Sequence, residues 1–228
     1  MLEVTDSTNR VVSQLAGEGA GEGVVVASDL QTAGRGRLDR TWEAEPGAAL
    51  LVSLLLRPEG LPVRKWHLAT MAAGLAASDA CWSVAGVRPD LKWPNDLLLG
   101  EAKLAGILAE ATEGALVVGM GLNVHAAPPA AAWLDQAAGY RVGRAELLTA
   151  WLSTLDRLLD RWDEVAERYR AECATVGRQV VVEQHGSTIR GLAVGIDDDG
   201  RLEVVPETPA SSAIVISAGD VVHVRPRA

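Results

Sequence analysis

The stretch Val87–Val124, VRPDLKWPNDLLLGEAKLAGILAEATEGALVVGMGLNV, decides the fold. It divides into short apolar runs, Val87–Trp93, Asp96–Leu99, Leu104–Glu110 and Ala115–Leu122, each of strand rather than helix length. Gly100-Glu101 between the middle two predicts a hairpin turn. Hairpins build antiparallel pairs, so the expectation is a mixed or largely antiparallel sheet with helices against one face. Working outward, Asp6-Ser7-Thr8-Asn9 offers N-cap chemistry for a helix through about Leu15, and Val24–Ser28 reads as a buried strand. Ala48–Leu56 is a further strand, and Val63–Ala85, opened by Pro62, is a long Ala-rich helix. Arg144–Glu172 predicts one helix, because Leu147, Trp151, Leu155, Leu158, Trp162, Val165 and Tyr169 recur at three- and four-residue steps. Beyond Gly177 the period becomes two. Gln179–Glu183, Thr188–Val194, Arg201–Val205, Ala213–Ser217 and Val221–Arg225 are separated by His185-Gly186, Asp197–Gly200, Thr208-Pro209 and Ala218–Asp220. That pattern predicts a small SH3-like barrel over 177–228 after a larger domain over 1–176.

Composition bounds the function. The 228 residues carry 21 Lys+Arg against 30 Asp+Glu, a net charge of −9, which argues against a general binder of nucleic acid or anionic membrane. A hydrophobic content of 48% argues against disorder. Cys81 and Cys173 are isolated, without CxxC or neighbouring His, so no metal motif shows. Met1–Gly17 lacks a basic start and an apolar core, and no apolar run approaches 18 residues free of charge. A reduced, cytoplasmic protein follows as the expectation. Seven Trp, two Tyr and no Phe leave bulk packing to Leu, Val and Ala, and each indole needs its own account.

Three segments suggest chemistry. Gln31-Thr32-Ala33-Gly34-Arg35-Gly36-Arg37-Leu38-Asp39-Arg40-Thr41-Trp42 alternates Gly and Arg after a strand, which lets backbone approach a ligand while guanidiniums converge on anions. It is neither the dinucleotide-binding GxGxxG nor a Walker loop, and a flexible solvated loop is the bland alternative. Lys103 opens the apolar run Leu104–Ala109, where an unpaired ammonium is costly and an anionic partner is expected. Gly119-Met120-Gly121-Leu122-Asn123 places two glycines in a strand, which marks close approach of a ligand or of another backbone, or else an ordinary bulge.

Together these segments resemble biotin protein ligases from Asp6 to about Arg225. Asp6–Asn9, Gln31–Arg37, Arg40–Trp42, Lys92-Trp93-Pro94-Asn95-Asp96, Lys103–Leu108 and Gly119–Asn123 occur in that family's order and at similar spacings. The resemblance implies a catalytic sheet like that of class II aminoacyl-tRNA synthetases, with the small barrel behind it. It implies that Ser7, Thr8 and Gln31 hydrogen-bond the ureido ring, with backbone contacts from Gly34 and Arg35. Lys103, beside Gly106, would bind the biotin carboxylate and the phosphoryl group joined to it. Arg37 and Arg40 would hold the ATP phosphates, Trp42 would pack on adenine, and Lys92, Asn95 and Asn123 would complete the nucleotide side. Lys103 and Arg37 are thus the expected catalytic residues, with Mg²⁺ carried by the ATP phosphates rather than by a protein site. The implied partner is a biotin carboxyl carrier domain of a biotin-dependent carboxylase. A monofunctional enzyme, monomer or weak homodimer, is expected, because only five residues precede Asp6 where DNA-binding relatives carry a winged helix-turn-helix domain.

The chain departs from the family pattern at Asp39, where Gly is usual, and at His125, where many relatives carry Asn. A lipoate-protein ligase shares the two-step chemistry, but the Gln31–Arg37 block and the Lys-Leu-Ala-Gly run favour biotin. Intact Lys103 and Arg37 argue against a non-catalytic nucleotide sensor.

Overall fold

The computed structural model describes the whole chain except residues 39, 113, 160, 185–186, 208–211, 218 and 225–228. The expected Asp39 departure, the turns at His185-Gly186, Thr208-Pro209 and Ala218, and the last strand's end at Arg225 therefore lie outside the described residues. Strands β1 (Leu2–Thr5), β2 (Val25–Gln31), β3 (Ala49–Leu56), β4 (Asp90–Lys92), β5 (Asp96–Leu99), β6 (Ala102–Thr112) and β7 (Ala115–Asn123) form one seven-stranded sheet. Its order is β1-β2-β3-β7-β6-β5-β4, with β1 and β2 parallel and the other neighbours antiparallel. The mixed sheet is the one expected. Edge strand β1 escaped the sequence reading because Leu2 and Val4 remain exposed and give no burial pattern.

Helix α2 (His67–Ala85), preceded by a short 3-10 turn at Val63–Lys65, lies across the sheet face built by Val52, Leu54, Ile107 and Val118. Its alanines and Gly74 let it settle deeply, since a Cβ at Gly74 would touch Leu91 and Ile107 at 3.4 and 3.6 Å. Over Val63–Ala85 the mean hydropathy reaches 1.2, enough in length and composition to cross a membrane, but the window is 72% buried inside the fold. A helix apolar all round is what a position between two layers requires.

The second layer over α2 holds α4 (Arg144–Leu158) and α5 (Trp162–Glu172), with the short α3 (Leu134–Ala138) at one end. The single helix expected over Arg144–Glu172 is thus two. Leu159 turns extended at φ −60°, ψ 140°, and α5 restarts with Asp163 and Glu164 in its first turn, where acidic groups suit the helix dipole. The apolar stripe runs through the break because Leu147, Trp151, Leu155, Val165 and Tyr169 all face the same core. Helices were expected on one face only, yet α1 (Thr8–Gly17) packs Val12 and Ala16 on Leu55 and Val117 of the other. It covers part of that face and leaves the rest open.

Strands β8 (Gln179–Gln184), β9 (Ser187–Ile196), β10 (Leu202–Pro206), β11 (Ile214–Ile216) and β12 (Asp220–His223) make an antiparallel sheet ordered β11-β10-β9-β8-β12. Its apolar side joins the main core through Val180, Ala193, Leu202 and Val204. Polar contacts lock it to the larger sheet and to α5. The Trp93 indole donates to the Gly200 carbonyl at 3.0 Å, Arg170 pairs with Asp198 at 2.8 Å, and the buried Thr175 hydroxyl accepts from the Trp93 N–H at 3.0 Å. Trp93, expected within a site motif, is 2% exposed and serves as this joint.

His223 closes the joint, with Nε2 3.0 Å from Thr175 Oγ1. Burial, with Lys92 and Arg178 nearby, pushes its pKa down from 6.5 to about 4. The unfolded ring binds its proton at the higher pH, so this contribution is complete above 6.5 and is lost as pH falls toward about 4. Melting temperatures across that window should fall more steeply for the wild type than for His223→Gln. Parallel curves would contradict the assignment.

Candidate active site

On the open face, side chains from β3, β6 and β7 alternate toward α1: Leu51 and Ser53, Leu108 and Glu110, Val117, Gly119 and Gly121. The glycines leave a dent. A Cβ at Gly119 would lie 2.0 Å from Asn9 Oδ1, and one at Gly121 would lie 2.4 Å from Trp42 Cε2. The close approach foreseen at these glycines is therefore made by the protein's own Asn9 and Trp42 side chains. Gly106 on β6 continues the dent, with Lys103 Nζ 3.0 Å and Trp42 Cζ3 3.3 Å from its missing Cβ. A cavity of about 330 Å³ opens over this floor.

Its polar end is built from the start of α1. Ser7 occupies the N-cap position without a side-chain capping bond, and Ser7, Thr8 and Asn9 are buried, so their side chains face the sheet rather than cap the helix. The Thr8 N–H and hydroxyl both donate to Gln31 Oε1, at 2.7 and 3.0 Å. Ser53 Oγ stands 2.7 Å from Thr8 Oγ1 and 2.6 Å from Asn9 Oδ1. Asn9 Nδ2 donates to Glu110 Oε2 at 2.6 Å and to the Leu108 carbonyl at 3.3 Å. Ser53, Asn9 and Glu110 were missed as site residues. The available signal was a lone hydroxyl in the aliphatic run Ala49–Leu56.

The Gly/Arg segment folds back on itself. Trp42 N–H donates to Gly34 O at 2.9 Å, Gly36 N–H to Arg40 O at 2.7 Å, and Leu38 sits at φ 54°. Gly34 is required by this closure, since a Cβ there would lie 2.5 Å from the Trp42 carbonyl oxygen. Each arginine reaches a different wall. Arg35 pairs with Glu110 on β6 at 3.0 Å, and Arg40 pairs with Asp220 at the start of β12. Arg37 donates to Asn95 Oδ1 at 3.4 Å and has no carboxylate partner among the described residues. Burial lowers the Arg37 pKa, whereas hydrogen bonding to Asp220 raises that of Arg40.

Lys103 has the anionic partner expected of it, and that partner is internal: Asp96, at 2.6 Å. The premise of a buried ammonium does not hold, because the side chain is 41% exposed at the start of β6, beside the register shift opposite Leu97/Leu98. The ammonium also lies 5.7 Å from the Trp42 ring centroid, a cation–π contact. Asn123 donates to Ala132 O at 3.0 Å, and its buried Oδ1 has no partner among the described residues. His125 Nδ1 is 2.9 Å from Asp135, whose other oxygen accepts the Val142 N–H at 2.7 Å, so this departure braces the loop before α4.

The sequence profile of the Biotin/lipoate A/B protein ligase family matches residues 1–126, and that of the biotin protein ligase C-terminal domain matches 175–224. The biotin–[acetyl-CoA-carboxylase] ligase of Mycobacterium tuberculosis is 39% identical over 234 residues, covering 97% of this chain and 87% of that protein. The chain belongs to the biotin protein ligase family. The ligase of the same name from Paracoccus denitrificans is 32% identical over 241 residues, 96% of this chain and 98% of that one. A biotin protein ligase from Aquifex aeolicus, solved in complex with biotin and ATP, superposes with a TM-score of 0.85 at 26% identity, over 99% of this chain and 97% of its own.

In this biotin protein ligase the cavity wall brings together Ser7, Thr8, Gln31, Arg35, Arg37, Arg40, Trp42, Asn95, Lys103, Gly106 and Asn123. Gly34 and Lys92 are not on that wall: Gly34 shapes the hairpin, and Lys92 lies behind Asp96 at 4.0 Å. Gly119→Ala tests the floor. Overpacking against Asn9 should cost about 1–3 kcal/mol of stability in denaturant unfolding and weaken biotin binding by calorimetry. Unchanged values in both would show that the dent is not needed.

Proposed function

We propose that this chain joins biotin to one lysine of a biotin carboxyl carrier domain in two ATP-dependent steps. The observation carrying the reading is a single cavity with hydroxyls and a carboxamide at one end and cations at the other. The neutral polar end suits a ureido ring: Thr8 engages Gln31 Oε1, which leaves Gln31 Nε2 as a donor, and the Ser7 hydroxyl is spared by the helix cap. The cationic end suits phosphates.

In the first step the biotin carboxylate attacks the α-phosphorus of ATP, the bond to the β-phosphate oxygen breaks, and pyrophosphate leaves biotinyl-5′-adenylate. Both reactants are anions, so neutralisation and alignment supply most of the help required. Lys103 exchanges Asp96 for the incoming carboxylate and phosphoryl oxygens. Arg37, which has no carboxylate partner among the described residues, and Arg40 take the remaining phosphates, while Lys92 steadies Asp96. Trp42 offers its free face to adenine, Asn123 Oδ1 offers an acceptor, and Gly34, Arg35 and Gly106 contribute backbone approach. The nucleophile is already ionised, so this step needs no general base. In the second step the carrier lysine amine attacks the mixed anhydride, forms the amide and releases AMP. The Gly/Arg hairpin over the cavity protects the adenylate from water.

Mg²⁺ supplies charge neutralisation on the triphosphate when bound. Asp96, on the cavity wall beside Lys103, is the carboxylate that would help hold it beside the phosphates. We place the domain boundary at Gly177 and read the enzyme as a cytoplasmic monomer or weak homodimer. The net charge of −9 weighs against DNA as a partner.

Labelled biotin should pass to a purified carrier domain only with ATP and Mg²⁺. Lys103→Ala should lower adenylate formation by at least about 10²-fold, as loss of a group stabilising transition-state charge does. Wild-type rates in that variant, or preferred transfer of lipoate, would overturn the reading.

A further inference from the structure

Glu110 lies on the sheet face that carries the cavity floor, yet it has no place in the chemistry above. Its side chain is 29% exposed, and its oxygens serve two groups from opposite sides. Oε2 accepts from Asn9 Nδ2 at 2.6 Å, and Arg35 NH2 reaches both oxygens, 3.0 Å from Oε1 and 3.2 Å from Oε2. An ionised carboxylate only accepts hydrogen bonds, so it fixes the Asn9 carboxamide with its NH₂ outward. The amide oxygen then accepts the Ser53 hydroxyl proton at 2.6 Å; Ser53 Oγ also packs 2.7 Å from Thr8 Oγ1, whose own proton goes to Gln31 Oε1 at 3.0 Å. Ser53, Thr8 and Asn9 are all nearly inaccessible to solvent, so each mispaired group in this chain is costly. The flat carboxamide fits because Gly119 has no Cβ.

We infer that Glu110 is a positioning residue: through Asn9 it orients and holds the Ser53 hydroxyl against Thr8 at the polar end, and through Arg35 it ties that end to the arginine hairpin. The inference rests on the placement of biotin proposed above. A neutral carboxamide at 110 replaces it imperfectly: its oxygen in the place of Oε2 can still accept from Asn9 and Arg35, but its NH₂ then stands where Oε1 lies 3.0 Å from Arg35 NH2, donor against donor. The opposite orientation, with its oxygen in the place of Oε1, presents its NH₂ to that of Asn9. Such a conflict tilts the groups that meet the ureido ring and loosens Arg35, whereas Arg37 and Arg40 keep their own partners, Asn95 and Asp220.

Steady-state kinetics of Glu110→Gln, read together with its melting temperature, test this. The expected result is a biotin KM raised about tenfold, an ATP KM within about twofold of wild type, and a melting temperature little changed. In an Asn9→Ala background the same substitution should have almost no further effect on biotin KM, because the route through Asn9 is already cut. An unchanged biotin KM, equal rises in both KM values, or full additivity with Asn9→Ala would overturn the inference. Should Glu110→Gln fail to fold, Glu110→Asp, which keeps the charge but shortens the reach, is measured with the same expected split. Thr8→Val separates this from the underlying placement. If biotin binding survives Thr8→Val unchanged, the placement itself is wrong; if it weakens while Glu110→Gln does nothing, only the role of Glu110 fails.

Discussion

A sheet face is closed by its own side chains unless some are missing, and at Gly106, Gly119 and Gly121 this one carries none. The rest of the site depends on that dent. Asn9 can lie on the strand and meet Glu110 only because Gly119 makes room, and the Trp42 indole lies over Gly121 and Gly106 for the same reason. A helix laid fully across the face would have filled the space, but α1 ends its cover at Val12 and Ala16 over Leu55 and Val117. On the opposite face α2 packs its alanines against Val52, Leu54, Ile107 and Val118.

Charge is distributed to match. The chain is acidic overall, yet Arg35, Arg37, Arg40 and Lys103 converge on one cavity. Three of these cations hold carboxylates of the protein itself: Glu110, Asp220 and Asp96. Internal counter-ions of this kind neutralise a cationic pocket within the fold. Asp220 belongs to the C-terminal sheet, so that sheet forms part of the wall rather than an appendage. Trp93, Thr175 and Arg170 hold it in register.

Much of this was legible from residue order. The strands between Val87 and Val124 follow from apolar runs bounded by turn residues, and β8–β12 from period-two alternation. The break at Leu159 did not show, because a hydrophobic stripe reports which face is buried and not whether the backbone is continuous. The cations and glycines of the site stood out by residue type. Asn9, Ser53 and Glu110 did not, since their roles come from a register that places residues about 44 and 101 positions apart in contact. Trp93 was ambiguous in sequence because an indole beside a turn looks the same whether it meets a ligand or a neighbouring sheet.

Activation of biotin at the α-phosphate of ATP in this one cavity should precede any contact with a carrier. Isotope exchange between pyrophosphate and ATP measures that step alone. The account predicts exchange that requires biotin and Mg²⁺, proceeds without carrier domain, and is not supported by lipoate. Exchange that is absent with biotin, or equally fast with lipoate in its place, would contradict it.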